Sequence, residues 1–393
     1  MLRIALLATH PIQYQAPLFR ALVGRGDVEI KVFYCWNFGV KEVMDPGFGR
    51  TIRWDVPLLD GYDHEFLPNR ARSPGTNHFW GIVNPEAPLQ IAKFRPDVVV
   101  VHNYVHFTEN EVIAAARLFR VPVLLRSESN LLPRRPLLTT IAKRLVLTPL
   151  MHGLGGALAI GTLSAKYFEH YGVPKERIFV APYSVDNSFF QARPDEVRAE
   201  ALAWRKELGI AEDDLVVLYA AKLIPVKGCA DLIAAFSAHP RPKAHLVIVG
   251  DGVLRDELSA LARDAAFGQK NIHFLGFVNQ KRMPAAYALG DLFVLPSRFE
   301  PWGLAVNEAM NLRQPIVVSD QVGSAPDLVG QDNGWVFPAG NVPSLTRVLD
   351  EALADRDGLR ARGEASRRRI DGWGIPQTAE GFVKAARAAA GRL

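Results

Sequence analysis

Two carboxylates and two amines carry the chemistry most readily read from this chain of 393 residues. Glu300 and Glu308 stand eight positions apart in Glu300-Pro301-Trp302-Gly303-Leu304-Ala305-Val306-Asn307-Glu308. The segment follows the apolar run Leu292–Leu295, and Pro301 suits the first turn of a helix. A helix N-terminus offers free N–H groups and partial positive charge, so the backbone of Gly303, Leu304 and Ala305 can hold a phosphate. Gly303 permits the close approach. On a helical rise the two acids lie about 12 Å apart, so one can reach the hydroxyls of a sugar and the other those of a ribose, with phosphates between. Glu300 read alone is also consistent with a surface residue. Glu308 breaks an otherwise apolar face, which is unusual for an acid.

The amines are Lys222 and Lys227, in Lys222-Leu223-Ile224-Pro225-Val226-Lys227-Gly228. They follow the run Leu215–Ala221, and Pro225 with Gly228 marks a strand-to-helix turn. Two ammonium groups at its rim offer counter-charge to a diphosphate and can stabilise it as it departs. Gly250, after another apolar run, either approaches the same ligand or only turns the chain. A divalent ion is not expected. The one Asp-x-Asp triplet, Asp355-Arg356-Asp357, falls in a polar helical stretch near the end.

These residues need elements to position them. Strand candidates in the first half are Arg3–Ala8, Val28–Tyr34, Asp97–Val101, Val121–Leu125, Ala157–Ile160 and Ile178–Ala181. The second half has Leu215–Ala221, His245–Val249, Ile272–Leu275, Leu292–Leu295, Ile316–Ser319 and Trp335–Phe337. Unbroken Val/Ile/Leu runs point to parallel strands buried on both faces, and the helical stretches between them to two doubly wound α/β units. Such sheets bind ligands at their strand C-termini. The expected organisation is a domain over residues 1–190, a second over 191–375, and a helix over 376–393 that returns to the first. Cys35 and Cys229 are too few and too far apart for a disulfide framework or a zinc site, which suits a reducing cytoplasm. The apolar start reads as a strand rather than a signal peptide, and prolines and glycines break the acid-free stretch Leu145–Ala165 before it could span a membrane. The net charge of +5 suits anionic ligands, but no nucleic-acid motif gathers it.

The ordered set of motifs resembles the retaining glycosyltransferases of family 4, built on the two-domain GT-B fold. Glu300–Glu308 matches the family's E-x7-E signature, and Lys222 with Lys227 matches its Arg-x4-Lys. Ala181-Pro182-Tyr183-Ser184-Val185-Asp186, Val249-Gly250-Asp251-Gly252, Phe274-Leu275-Gly276-Phe277 and Asp291-Leu292-Phe293-Val294-Leu295-Pro296-Ser297 follow in the family's order. The resemblance implies that Glu300 meets the transferred sugar, Glu308 the ribose, Lys222 and Lys227 the diphosphate, and the backbone of Phe277–Val278 the base. Lysine in place of arginine at 222 keeps the charge and loses the two-pronged fork. The implied donor is a UDP- or GDP-sugar, used without metal or other cofactor, and the acceptor is a glycan, a lipid-linked group or a small molecule.

His102 ends a strand. By the resemblance it orients the transferred sugar or phosphate, and otherwise it is a strand-end histidine bonded to backbone. In Thr9-His10-Pro11-Ile12-Gln13-Tyr14-Gln15 the family's common glycine pair is missing. His10, Gln13 and Tyr14 therefore either line an acceptor pocket or begin a capped helix. Arg126 and Glu128 stand at another strand end, where Glu128 binds acceptor hydroxyls or pairs with Arg126. The stretch 134–146, with Arg134, Arg135, Lys143 and Arg144 among leucines, reads as a basic amphipathic helix, either solvated or lying on an anionic membrane. Two other classes stay open: a Rossmann-type oxidoreductase, which needs a G-x-G-x-x-G that no glycine cluster completes, and a non-catalytic nucleotide-sugar binder.

Overall fold

The computed structural model describes residues 1–40, 43–45, 50–133, 135–267 and 269–392. The strands in chain order are β1 (Leu2–Ala8), β2 (Val28–Tyr34), β3 (Val43–Asp45), β4 (Arg50–Ile52), β5 (Asp63–Phe66), β6 (Val98–His102), β7 (Val123–Ser127), β8 (Gly156–Ala159) and β9 (Ile178–Val180). β10 (Leu215–Ala220), β11 (Ala244–Val249), β12 (Ile272–Gly276), β13 (Leu292–Leu295), β14 (Ile316–Ser319) and β15 (Gly334–Phe337) follow. Each of the twelve expected strands is present, most within a residue or two of its expected ends. β3 and β4, a two-stranded pair, and the edge strand β5 were not expected. They are short and carry no continuous apolar run, so hydrophobic pattern does not reveal them.

The chain divides into two compact units. The first comprises Met1–Val43, Val56–Ser184 and Gly374–Leu393, and the second Met44–Asp55 and Val185–Trp373. In the first, a seven-stranded sheet has the order β5-β2-β1-β6-β7-β8-β9, with parallel pairing throughout. One face packs Ile4, Leu6, Val98, Val100 and Leu124 against the helices Ala16–Gly24 and Ile375–Ala389. The other packs Ala5, Leu7, Val99, Val101 and Leu125 against helices that include Phe107–Leu118 and Leu137–His152. The closing helix is fixed to this unit by Arg387–Asp27 and Arg392–Asp97 ion pairs, both 2.8 Å, and by Phe382, which is fully buried. In the second unit, β12-β11-β10-β13-β14-β15 form a six-stranded parallel sheet.

Both sheets reverse direction once. The chain moves outward through β1, β2 and β5, then returns to β6 beside β1. Likewise it runs β10, β11, β12 and returns to β13 beside β10. At such a switch point the flanking connections leave to opposite faces, and a crevice opens at the strand C-termini. No helix among the described residues is long and apolar enough to cross a membrane.

Gly381 lets the closing helix touch β9. A Cβ there would stand 2.2 Å from the Val180 carbonyl oxygen, whereas one at Gly24 would meet nothing within 4 Å. Gly381→Ala is therefore expected to destabilise the chain by about 1–3 kcal/mol through overpacking. Gly24→Ala should leave stability within about 0.5 kcal/mol or raise it. Urea unfolding of the two variants checks the contrast.

Candidate functional site

The second unit brings Lys222, Lys227, Glu300 and the Gly303–Glu308 helix start to the segments that flank its switch point. The loop after β10 passes through the short turn Pro225–Lys227 to Gly228, whose left-handed backbone (φ 68°) opens the helix Cys229–Phe236. The loop after β13 runs beside it. Arg298 N–H donates to the Val226 carbonyl at 2.8 Å, and the Arg298 guanidinium holds Asp231 in a two-pronged ion pair at 2.9 and 3.1 Å. Gly228 can lie against Pro296 only because it lacks a Cβ, which would stand 2.3 Å from the Pro296 carbonyl oxygen. Through these contacts Lys227 Nζ meets Glu300 Oε2 in a largely buried ion pair. The family resemblance implies contacts to different parts of a ligand for those two residues; in the structure they neutralise each other.

Glu300 is held by its own backbone. It bridges Val322, its N–H donates to Gln321 at 3.0 Å, and its carbonyl accepts from Gly323 at 2.9 Å. The loop after β14 thus braces the segment before the helix. The helix starts at Leu304, later than the proline suggested, with Gly303 as its N-cap in left-handed conformation (φ 94°) and no side-chain cap. The first N–H groups of Leu304 and Ala305 therefore sit at an uncapped helix start. Trp302 anchors the turn, stacked on Trp373 at 5.8 Å and donating its indole N–H to Asn307 at 3.0 Å.

Glu308 lies one turn into this helix and is 4% exposed. The Tyr287 hydroxyl donates to its Oε2 at 2.7 Å, while Oε1 is buried without a hydrogen-bond partner. Burial pushes its carboxyl up to about 7, opposed by the Tyr287 hydroxyl and then by the Gln280 side chain. A buried acid with one oxygen unsatisfied is costly unless something else completes it. Lys222 follows the end of β10, and Phe277 and Val278 follow the end of β12, at the same end of the sheet. Gly250 packs under the Lys222 loop: a Cβ there would stand 2.0 Å from the Ala221 carbonyl oxygen. Its immediate role is to let two loops meet.

In the first unit the switch point lies between β1 and β6. His102 ends β6, 9% exposed. The Gln15 side-chain amide contacts its Nδ1 at 2.9 Å, and Nε2 has no partner. With Gln15 donating to Nδ1, the ring proton sits on Nε2. Burial and the nearby Arg126 charge lower its pKa to about 3, so the ring is a neutral hydrogen-bond donor at physiological pH. Gln15 lay one residue beyond those singled out, and only its approach to His102 gives it a role. His10 packs edge-on against Phe38 at 5.4 Å and Trp36 at 6.3 Å. Burial, and after it the neighbouring Glu128, push the Tyr183 phenol's pKa up, with Tyr14 close enough to add to the effect, while Gln13 is partly exposed.

The expected Arg126–Glu128 pairing does not form. Glu128 accepts from the Tyr183 hydroxyl at 2.7 Å, and Arg126 turns to aromatic faces, 4.9 Å from Phe382 and 5.5 Å from Tyr183. Arg126 shares a face with Leu124, two residues earlier, and so points to the closing helix, while Glu128 lies past the end of β7 at Ser127 and is taken by Tyr183. Tyr183 lies within a motif already visible in the sequence, whereas Phe382 is remote and only the returning helix supplies it.

The expected basic helix is Leu137–His152. Leu137, Leu138, Ile141, Leu145 and Val146 are all exposed on it, Leu138 to 81%. Lys143 turns inward over Tyr167 at 4.9 Å, and burial lowers its pKa to about 8. Arg134 lies outside the described residues.

Comparison with known proteins adds to this geometry. Residues 201–369 match the family described as glycosyl transferases group 1. That region holds the Lys222–Lys227 loop, Gly250, Glu300 and the Gly303–Glu308 helix start. The chain is 35% identical over 158 residues to an uncharacterised glycosyltransferase of Methanocaldococcus jannaschii, covering 40% of each chain. It is 32% identical over 200 residues to the GDP-mannose-dependent monoacylated alpha-(1-6)-phosphatidylinositol monomannoside mannosyltransferase of Corynebacterium glutamicum, covering 48% of this chain and 50% of the relative. The chain thus spans about half the length of the curated relatives it matches. Anabaena HepE in complex with UDP superposes with a TM-score of 0.74 at 18% identity, over 98% of this chain and 99% of that one. At that identity the likeness establishes the fold, which is GT-B: two Rossmann-like α/β domains with parallel sheets.

The raised Glu308 pKa has a stability consequence. Between the carboxylate's ordinary 4.5 and its folded value of about 7, the folded chain holds a proton that the unfolded chain has lost. Stability therefore falls as pH rises across that window, by about 3 kcal/mol in all. Glu308→Gln is expected to flatten the decline, read as urea midpoints from pH 4.5 to 8. A variant as pH-dependent as the parent there would contradict the assignment.

Proposed function

We propose that the chain is a glycosyltransferase that takes a sugar from a nucleoside diphosphate donor bound chiefly by its second unit. The observation that carries this reading is the β10/β13 switch point. One crevice edge holds an uncapped helix start, a Lys227–Glu300 ion pair beside it, and one turn further a buried acid with an unsatisfied oxygen. The match of residues 201–369 to glycosyl transferases group 1 supports it independently.

In this reading the diphosphate rests on the N–H groups of Gly303, Leu304 and Ala305, with Lys222 and Lys227 as counter-charges. A dianion competes with Glu300 for Lys227, so donor binding frees Glu300 to accept from hydroxyls of the transferred sugar. Glu308 takes the ribose hydroxyls on Oε1, and the backbone at Phe277–Val278 meets the base. UDP and GDP are the favoured nucleotides, since solved and curated relatives carry UDP and GDP-mannose in their names. Two ammonium groups and a helix start supply the charge stabilisation that a divalent ion would otherwise give, so transfer proceeds without metal. The first unit contributes His102, a neutral donor that orients sugar or phosphate, and an acceptor region built on His10, Gln13, Tyr14, Arg126 and Glu128. The acceptor hydroxyl attacks on the face the nucleotide leaves, so anomeric configuration is retained. The acceptor is a glycan, a lipid-linked group or a small molecule.

The protein works in the cytoplasm, with peripheral contact to the membrane face. The helix Leu137–His152 supports this contact. Between Glu128 and Glu169 the sequence has no acid and five cations, Arg134, Arg135, Lys143, Arg144 and Lys166, around a helix with an exposed apolar face. An anionic bilayer satisfies both features.

A thermal-shift screen against UDP, GDP, ADP and their sugars tests the donor. One nucleotide should raise the unfolding midpoint, and Glu308→Ala should remove that rise; an unchanged shift would sink the ribose assignment. Turnover with an acceptor panel, with and without EDTA, should release nucleoside diphosphate equally. For the membrane contact, the chain should float with phosphatidylglycerol vesicles. The triple variant Leu138→Glu, Ile141→Glu, Leu145→Glu should stay in the dense fraction; flotation equal to the parent would refute the contact.

A further inference from the structure

Arg126 occupies a position that its charge does not explain. The residue is 8% exposed, and among the described residues no carboxylate stands within ion-pair distance of it. Glu128, two residues on, is engaged by Tyr183. The contacts that hold Arg126 are the ring faces of Tyr183 and Phe382, and its Nη1 is buried without a hydrogen-bond partner. Burying a cation that has no ion-pair partner is among the more expensive arrangements in a fold, and burial lowers its pKa to about 10, only partly offset by the nearby Tyr183 and Glu128.

Two side chains beside it also have a buried polar atom without a partner, Gln15 with the acceptor Oε1 and His102 with Nε2. In the β6–β7 register His102 is the partner of Arg126, and its Nε2, bearing the ring proton, is likewise buried and unpaired. Both side chains lie on the sheet face covered by the helices Ala16–Gly24 and Ile375–Ala389. The first of these begins beside Gln15 with no side-chain cap. Two unsatisfied buried donors on adjacent strands, next to an uncapped helix start, call for a ligand rich in acceptor atoms and negative charge. A guanidinium is suited to that, since its planar fork matches phosphate and carboxylate.

We propose that the first unit carries a subsite for an anionic group, a phosphate or carboxylate on the acceptor, with Arg126 as its charged partner and His102 Nε2 as a second donor. The word acceptor rests on the transferase reading above; the anion site itself does not. It predicts that acceptors bearing a phosphate or an acidic sugar are preferred over neutral glycans. The other source of the same chemistry is the donor's own diphosphate, and the test separates the two.

The probe is inorganic phosphate, titrated calorimetrically into the full chain and into three variants: Arg126→Met, Arg126→Lys, and the double variant Lys222→Met, Lys227→Met. The double variant should retain phosphate binding, Arg126→Met should weaken it at least tenfold, and Arg126→Lys should lie between. Arg126→Met should also raise the thermal midpoint in phosphate-free buffer, since it removes a buried unpaired charge at similar volume. If phosphate binding is unaffected by Arg126→Met, or vanishes in the double lysine variant, the subsite is refuted and the anion belongs to the nucleotide. Should Arg126→Met not fold, Arg126→Lys decides: binding equal to the parent overturns the proposal, and a several-fold loss in a chain with unchanged circular dichroism supports it. Phosphate binding that depends on Arg126 in a chain without transferase turnover would leave the anion site standing and remove only the word acceptor.

Discussion

The arrangement of this protein depends on a constraint of connection rather than on any single bond. A right-handed crossover from one parallel strand to the next must leave on a fixed face of the sheet. When the chain stops building outward and returns to the far side of its first strand, two neighbouring strands send their connections to opposite faces. Nothing then fills the space above their C-terminal ends. Both units contain this reversal, at β1/β6 and at β10/β13. The loops bordering each reversal carry the lysines, acids and histidines that stood out in the sequence.

At β10/β13 the crevice is maintained by close backbone contacts. Gly228 lies against Pro296, Gly250 against Ala221, and Gly323 against Pro301, each at a distance that a Cβ would not allow. The Arg298–Asp231 pair and the Glu300–Val322 bridge lock the loops after β10, β13 and β14 to one another. The glycines are thus largely concerned with bringing loops together, and the polar groups that remain unsatisfied, above all Glu308 Oε1, are those that such a framework can keep waiting. Lys227 and Glu300 show the complementary device. Each is neutralised by the other, so neither charge is buried alone.

The first unit is assembled differently. Its strand ends present His102 and Arg126 side by side, and the wall opposite is formed by a helix from the far end of the chain, which contributes Phe382. The site's polar groups therefore rest on aromatic and aliphatic surroundings. This is why the His102 ring stays neutral and why Arg126 lies over rings rather than against a carboxylate.

Much of this was legible in the sequence. Unbroken apolar runs specified parallel strands, because strands covered on both faces have no polar side to display. Glycine and proline at their ends marked the loops, and the spacing of Glu300, Gly303 and Glu308 identified a helix start flanked by acids. What the sequence could not specify are meetings between residues remote along the chain. Lys227 and Glu300 sit 73 positions apart, and Tyr183 and Glu128 sit 55 apart; which side chains touch there depends on strand order and face. The edge strand β5 and the β3–β4 pair also escaped, since their residues mix charged and apolar types and form no continuous apolar run. Periodicity records which residues are buried, but partners are chosen by topology, and topology exists only once the sheets have closed.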